Sequence, residues 1–377
     1  MVSSRVHQER VAVAHRGEAT VVGVIGAGNV GLAVASQISL AGSEVRIWNR
    51  SEQTLGLVQE NGGIDVVSDR GRSRAAVGVT RDLAQLARAC QVLLVTTTAN
   101  AHAEIARELG PHLTGSHRLL LVPGRTGGAL EVAAVLGKRA FIEGLIVGET
   151  SSSFFACRGE GPSVQIFDSK REVSMAAFPG KAGDELHSII EPFFPNVKPR
   201  LSSLGTSFDN FGAMFHPLIT LLNATAIQRE EEFLFYHHLP KETVALLEIL
   251  DQERRNAASK YGIESLAVAD WVRATYFDAK GSSLSELLSS CRSYSQITAP
   301  RSLHSRYLLE DVPTGLVPLF HLGTAMGVSM DLTRTIVDFA SFLLRRDFWA
   351  EGRSLASMGL NGLDSDEILD YVVQGWS

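Results

Sequence analysis

Cysteine is scarce and scattered in this chain. The three residues, Cys90, Cys157 and Cys291, lie far apart, without CxxC spacing or a companion pair of histidines. Neither a disulfide framework nor a structural zinc is expected, and no metal site is predicted. A reducing, cytoplasmic setting suits such a set. Basic runs are missing as well. The 35 Lys and Arg residues face 41 Asp and Glu, a formal charge of −6, and no cluster marks a surface for nucleic acid or an anionic membrane. Unbroken apolar runs are also lacking. The most apolar stretch, residues 211–227, contains His216, Pro217 and Asn223, which argues for a buried helix and against a membrane span. Residues 1–19 form a polar extension with no apolar stretch before Val21, so they do not read as a signal peptide.

What is present is core material. Hydrophobic residues make up 45% and charged residues 20% of 377, the usage of a folded chain long enough for two domains. From Val21 onward, short β-branched runs alternate with amphipathic segments, the pattern of parallel strands joined by crossover helices. Candidate strands are residues 21–25, 44–48, 92–96, 118–121, 140–142 and 164–166. After a stretch with Pro and Gly at 178–200 the strand pattern fades into successive helices, among them 241–261 and 331–344. The expected fold is an α/β Rossmann domain with a doubly wound parallel sheet over 20–190, followed by an all-α domain over 191–377.

Val21-Val22-Gly23-Val24-Ile25 runs into Gly26-Ala27-Gly28-Asn29-Val30-Gly31 and then a helical pattern. Strand, G-x-G-x-x-G turn and helix in this order form a dinucleotide site. Gly26 permits the tight turn, Gly28 lets the backbone approach a pyrophosphate, Gly31 lets the helix pack on the strand, and the helix N-terminus faces the phosphates. Where an NAD-preferring site places an acidic residue after the second strand, this chain has Asn49, Arg50 and Ser51. Arg50 can pair with a 2′-phosphate while Asn49 and Ser51 donate hydrogen bonds, so NADPH is favoured over NADH.

Further motifs follow. The first half carries Thr96-Thr97-Thr98-Ala99-Asn100-Ala101-His102, Pro123-Gly124-Arg125-Thr126-Gly127-Gly128-Ala129-Leu130, and Glu149-Thr150 leading to Cys157-Arg158. The second carries Asn210, His216-Pro217, Asn223, Asp251-Gln252-Glu253-Arg254, and the run from Arg306 through Asp311 and Thr314 to Pro318. In these pieces the chain resembles the opine dehydrogenases, of the octopine and nopaline type, from Val21 to near its C-terminus. The resemblance implies a Rossmann domain followed by a helical domain, with Thr97 at the cofactor. It also implies reductive condensation of an amino acid with an α-keto acid to a secondary amine dicarboxylate. Thr314 stands where the family often has an aromatic residue, and the stretch around Glu143-Gly144 is atypical, so the substrates do not transfer.

Hydride addition to an imine needs a proton at nitrogen and anchors for carboxylates. His216, in the position of the family's catalytic histidine, suits proton exchange near neutral pH. Asp311 can orient it through the distal ring nitrogen, an arrangement expected to raise the histidine's pKa. Arg306 offers a planar fork for a substrate carboxylate; the second carboxylate lacks an evident donor, with Arg125 and Arg158 as weaker candidates. Asn223, two helical turns after His216, and His102, past the end of a strand, are further substrate-binding candidates. Pro217 inside a helix frees the carbonyl of Ala213 at a cost of about 3 kcal/mol. Cys157 reads as packing rather than nucleophile.

The nearest rival is a ketone reductase of the ketopantoate or β-hydroxyacid type. Such enzymes use a lysine as acid, and Lys241, Lys260 and Lys280 lie in polar, charge-rich surroundings. A non-catalytic NADPH-binding sensor is a third reading, disfavoured by the His216 and Asp311 combination. The expected partners are small molecules, neither nucleic acid nor membrane, and a homodimer is compatible with the sequence.

Overall fold

The computed structural model describes residues 21–276, 278–294 and 297–376; the polar N-terminal extension lies outside them. The first half is built on an eight-stranded sheet in the order β12-β11-β8-β7-β6-β1-β2-β5. Its members are β1 (Val22–Ile25), β2 (Val45–Trp48), β5 (Gly78–Val79), β6 (Val92–Val95), β7 (Arg118–Leu121), β8 (Ile146–Thr150), β11 (Val173–Phe178) and β12 (Val197–Pro199). From β5 to β8 all neighbours are parallel, and β11 reverses against β8. Strands β1, β6 and β8 are buried along their whole length, as required of a sheet covered by helices on both faces.

A second sheet, β4-β3-β10-β9, joins β3 (Ile64–Ser68), β4 (Gly71–Ala75), β9 (Phe155–Glu160) and β10 (Ser163–Ser169). Two expectations change here. Residues 164–166 belong to β10 of this small sheet and not to the main one. Residues 140–142 lie in a short helix, Lys138–Ile142; three apolar residues are too few to separate strand from helix by periodicity.

Beyond Pro199 the described residues form helices, with one isolated bridge, Leu234 to Thr298. Helix Gly212–Leu222 buries most of its length and contains Pro217. It packs against helices Lys241–Lys260, Arg306–Leu309 and Asp331–Leu344. The Asp251-to-Arg254 motif holds this bundle together. Arg254 donates to Asp251, to the carbonyls of Phe208 and Leu266, and to Ser265. Glu253 accepts from the amides of Leu332 and Thr333, the first turn of the last long helix. Arg353 ties the halves to each other, donating to Glu131 and to the carbonyls of Gly124, Thr126 and Ala99.

Candidate active site

The glycine turn sits where the order of the main sheet reverses, between the C-terminal ends of β1 and β6, the crevice in which doubly wound sheets take ligands. Gly26 has φ 111°, a region that excludes most side chains. A Cβ on Gly31 would come within 1.8 Å of the Gly26 carbonyl oxygen, whereas one on Gly28 would meet nothing within 4 Å. Gly31 therefore closes helix Asn29–Leu40 onto the turn, and Gly28 leaves the backbone open to a phosphate. Thr96 Oγ1 donates to the carbonyls of Ile25 and Gly26, clamping β6 to the turn. The neighbouring Thr97 hydroxyl is buried without a partner. An open backbone approach beside an unused hydroxyl fits a dinucleotide.

The side chains after β2 are already engaged. Asn49 Oδ1 accepts the amide of Ala27 at 3.0 Å, and its Nδ2 donates to the carbonyl of Ser51 at 3.2 Å. Asn49 thus braces the turn, with both ends of its side-chain amide in hydrogen bonds. Arg50 is 69% exposed and pairs with Glu104 at 2.9 Å, an exchangeable surface contact. Ser51 precedes helix Glu52–Glu60 as its cap residue. Asn29 Oδ1 and its carbonyl receive the amide of Gly159 (2.9 Å) and the thiol of Cys157 (3.4 Å), seating β9 on the turn. Burial pushes the Cys157 thiol up to about 11, so it is no nucleophile.

In the helical half, His216 Nδ1 donates to Asp311 Oδ2 at 2.7 Å, and the Tyr236 hydroxyl donates to Nε2 at 2.8 Å. Tyr307 stacks on the imidazole with ring centroids 4.2 Å apart. A π-helical turn, Val312–Leu316, follows Asp311 directly; such turns often occur at functional sites. Gly315 in this turn stands so close to helix Gly212–Leu222 that a Cβ would lie 2.6 Å from that of Ala213. That approach brings His216 and Asp311, 95 residues apart, into contact.

Arg125 enters the cluster from the dinucleotide half. It is buried, has φ 65°, and its Nη1 lies 3.1 Å from Asp311 Oδ1 and its Nη2 3.4 Å from Glu310 Oε2. Neither contact is aligned as a hydrogen bond; the aligned one runs from Nε to Glu310 Oε1 at 3.4 Å. Buried Glu149 shapes this loop, accepting from the amide of Ala129 (2.7 Å) and the hydroxyl of Thr206 (2.6 Å). Arg306 is half-exposed and reaches Glu310 at 3.6 Å.

Burial of this cluster reverses one expectation. Burial, aided by Arg125 and Arg306, holds His216 below the ordinary histidine value, although Asp311 pulls the other way. The imidazole is neutral, donating to Asp311 and accepting from Tyr236. Burial alone would raise Asp311, but Arg125 and His216 outweigh it and hold the carboxyl at about 2. The orienting acid is therefore ionised over the working range of pH.

Two substrate-binding candidates are used elsewhere. His102 is buried, with Nδ1 facing Arg353 Nη2 at 3.3 Å. Asn223 donates to the carbonyl of Ile219 at the end of its own helix. Two residues of the site escaped sequence reasoning or were underrated by it. Arg125 ranked low because nothing local shows that its loop inserts into the helical half. Tyr236 sits in Phe233-Leu234-Phe235-Tyr236-His237-His238 with no spacing relation to His216.

An open dinucleotide turn in one half and a His–Asp pair reached by Arg125 of that half are the parts of a nicotinamide-dependent oxidoreductase. Residues 199–344 match the family model described as NAD/NADP octopine/nopaline dehydrogenase, alpha-helical domain, and residues 22–152 match ketopantoate reductase PanE/ApbA. The chain is 33% identical over 362 residues to the opine dehydrogenase of Arthrobacter sp. (strain 1C), covering 94% of this chain and 99% of that one. It is similar in fold to octopine dehydrogenase solved with NADH and L-arginine, with a TM-score of 0.79 at 19% identity over 95% of this chain and 98% of that one. Yersinopine dehydrogenase with NADP+ bound gives a TM-score of 0.69 at 16% identity, over 95% and 98% of the two chains. The chain belongs to the opine dehydrogenase family. It is an NAD(P)-dependent oxidoreductase acting on CH–NH groups. No described helix is long and apolar enough to cross a membrane.

Proposed function

We propose that His216 and Asp311 manage protons in the family's reaction, the reductive condensation of an amino acid with an α-keto acid, and that NADPH is the preferred reductant. The observation that carries the assignment of roles is the 2.7 Å contact between His216 Nδ1 and a carboxylate held ionised beside Arg125. An amino acid must lose a proton from its ammonium before nitrogen can attack the keto carbon, and neutral His216 can accept it at Nε2 once Tyr236 yields that position. Loss of water from the adduct requires a proton on the departing oxygen, which the imidazolium supplies. Asp311 stabilises the imidazolium in between, the role of an orienting acid in a catalytic triad. Arg306, half-exposed at the cleft, binds the keto acid's carboxylate. The bound cofactor supplies hydride to the imine carbon.

Arg50 carries the cofactor preference. Its partner Glu104 is a surface carboxylate that a 2′-phosphate can displace. A KM for NADPH at least tenfold below that for NADH is expected, and the reverse order rejects the preference. The match to the ketopantoate reductase model covers the dinucleotide half and says nothing of the second substrate. The deciding assay is NADPH oxidation by an α-keto acid with and without an amino acid. Oxidation only when both are present is expected; oxidation by the keto acid alone overturns the reading in favour of a ketone reductase.

A further inference from the structure

Glu310 stands next to Asp311 in sequence, takes no part in moving protons, and is buried. Both its backbone and its side chain are held. Its carbonyl accepts from the amide (3.0 Å) and the hydroxyl (2.7 Å) of Thr314, and its amide donates to the carbonyl of Arg306 at 3.0 Å. The side chain reaches into the dinucleotide half, where Oε1 accepts the amide of buried Ala99 at 3.0 Å. Ala99 closely follows Thr96, which clamps β6 to the glycine turn. A second stitch runs beside the first: Asn100 Nδ2 donates to the carbonyl of Leu309 at 2.7 Å. The segment that carries Arg306 and Asp311 is thereby fastened to the loop that leaves the cofactor turn.

Two guanidinium groups meet this fixed carboxylate. Arg125 donates to Oε1 through Nε at 3.4 Å and stands with Nη2 3.4 Å from Oε2. Arg306 brings its Nε to 3.6 Å from the same Oε2, which has no hydrogen-bond partner. The two arginines differ in what they leave free. Arg125 is buried, with Nη1 against Asp311 at 3.1 Å, whereas the side chain of Arg306 is 53% exposed. The Arg306 contact runs through Nε, so the outer edge, Nη1 and Nη2, remains for a ligand, and its parallel donors match a carboxylate. An ion pair between two exposed side chains is worth little. Here one partner is locked, so the contact fixes where the other points. Long contacts of this kind at active sites often tighten once substrate is bound.

We infer that Glu310 is a positioning residue for the keto acid: it holds the Nε side of Arg306 from a point fixed on the dinucleotide half, so that the outer edge of that guanidinium receives the keto acid's carboxylate at a set place relative to the cofactor turn. The inference rests on the reading of Arg306 as the keto-acid anchor. Hydride transfer demands that the carbon beside that carboxylate lie at a defined separation from the nicotinamide. An anchor pivoting freely on an exposed side chain spreads that separation, and the rotamer freedom it loses on binding weakens its grip. Glu310 removes both losses before substrate arrives, because it ties the anchor to the loop that also clamps the glycine turn. It touches neither substrate nor cofactor and acts through Arg306.

The test is a double-mutant cycle on the full-length enzyme with NADPH, using pyruvate or 2-oxoglutarate and the standard amino acid that turns over fastest. Glu310→Gln keeps an acceptor for the Ala99 amide and loses the charge that holds Arg306. Its keto-acid KM is expected to rise about tenfold, equivalent to about 1.4 kcal/mol, while the amino-acid KM and NADPH affinity stay unchanged. Arg306→Ala raises the keto-acid KM as well. In the Arg306→Ala background Glu310→Gln should then change that KM by less than about twofold, since no guanidinium is left to position, whereas a purely structural role makes the two effects multiply. If Glu310→Gln does not fold, Glu310→Asp, which retains the charge but draws it back by one methylene, is put through the same cycle with the same expectation. Equal rises in both backgrounds, or no rise in the wild-type background, overturn the assignment of Glu310 alone. An unchanged keto-acid KM in Arg306→Ala overturns the anchor and this assignment together. Absence of turnover with every standard amino acid overturns the reaction reading and this assignment with it.

Discussion

Arg125 lies in the loop of residues 123–128 and Arg353 packs against that loop; both are buried, yet they are used differently. Arg353 has all five donors engaged, on Glu131, three carbonyls and His102. Arg254, at the centre of the helical bundle, is likewise saturated. Arg125 sits against two carboxylates with one aligned hydrogen bond, and its Nη2, Glu310 Oε2 and Asp311 Oδ1 are left without hydrogen-bond partners. Buried polar atoms are nearly always satisfied, and exceptions call for a reason. The two saturated arginines hold architecture in place. The unsaturated cluster retains capacity for a ligand, at the point where the halves of the chain meet.

The largest effect should come from the unsaturated region and leave the architecture alone. His216→Ala and Asp311→Ala are each expected to lower kcat for reductive condensation by about 10²- to 10⁴-fold, the usual contribution of positioned acid–base groups. NADPH affinity, measured by fluorescence titration, should be nearly unchanged. Full activity in either variant removes that residue from the mechanism. Arg254→Met should do the converse. It leaves buried Asp251 without its charge partner and removes bonds from the carbonyls of Phe208 and Leu266, and breaking a buried pair of this kind costs about 3–5 kcal/mol. Chemical denaturation is the measurement; a loss below 1 kcal/mol would break the contrast between saturated and unsaturated arginines.

Glu149 tests the same contrast with pH. Burial raises this carboxyl to about 7, partly offset by Thr206 and the Ala129 amide. A folded-state value above the unfolded one, near 4.5, means that the folded protein holds the proton more tightly. The associated stability is fully present below pH 4.5 and is lost as pH rises through about 7. The shift corresponds to about 3 kcal/mol across that window. Glu149→Gln, which cannot ionise, should flatten the dependence, so that its stability relative to wild type improves steadily from pH 5 to pH 8. Parallel stability curves for the two proteins would show that the carboxyl does not change charge on this loop.

The dinucleotide half was the more legible part of the molecule because its signal is local. Gly26, Gly28 and Gly31 act within six residues, and the strand before them and the helix after them share one pattern. The second sheet was not legible in the same way. β4, Gly-Arg-Ser-Arg-Ala, is mostly exposed and so lacks the alternation that marks a half-buried strand. In the helical half, motif residues were visible while their duties were not. Asp251, Glu253 and Arg254 stand in the same resemblance as His216 and Asp311, but they serve the bundle. The direction of the His216 shift is set by burial, with Arg125 and Arg306 adding to it against Asp311; the motif shows the aspartate but neither the depth of the site nor Arg125, which arrives from a loop 91 positions away in sequence. Charge balance at a site depends on every element packed there, and no single segment records it.

Tyr236 gives the finest test of that balance. Its hydroxyl donates to the neutral form of His216 at 2.8 Å, and burial holds the phenol protonated, well above its ordinary value. A donor to Nε2 favours the unprotonated ring, because the imidazolium has no lone pair there to accept. Tyr236→Phe removes that preference, worth about 1 kcal/mol for a typical hydrogen bond, while keeping the ring that packs between Phe235 and Tyr294. The titration of His216 is then expected to move up by about half to one unit, since one unit is 1.36 kcal/mol. The same displacement should appear in the acid limb of kcat/KM against pH. Thermal stability and NADPH affinity should change little. If the limb stays where it is in wild type while activity falls, Tyr236 acts only through packing, and the neutral state of His216 is maintained by burial and the two arginines alone.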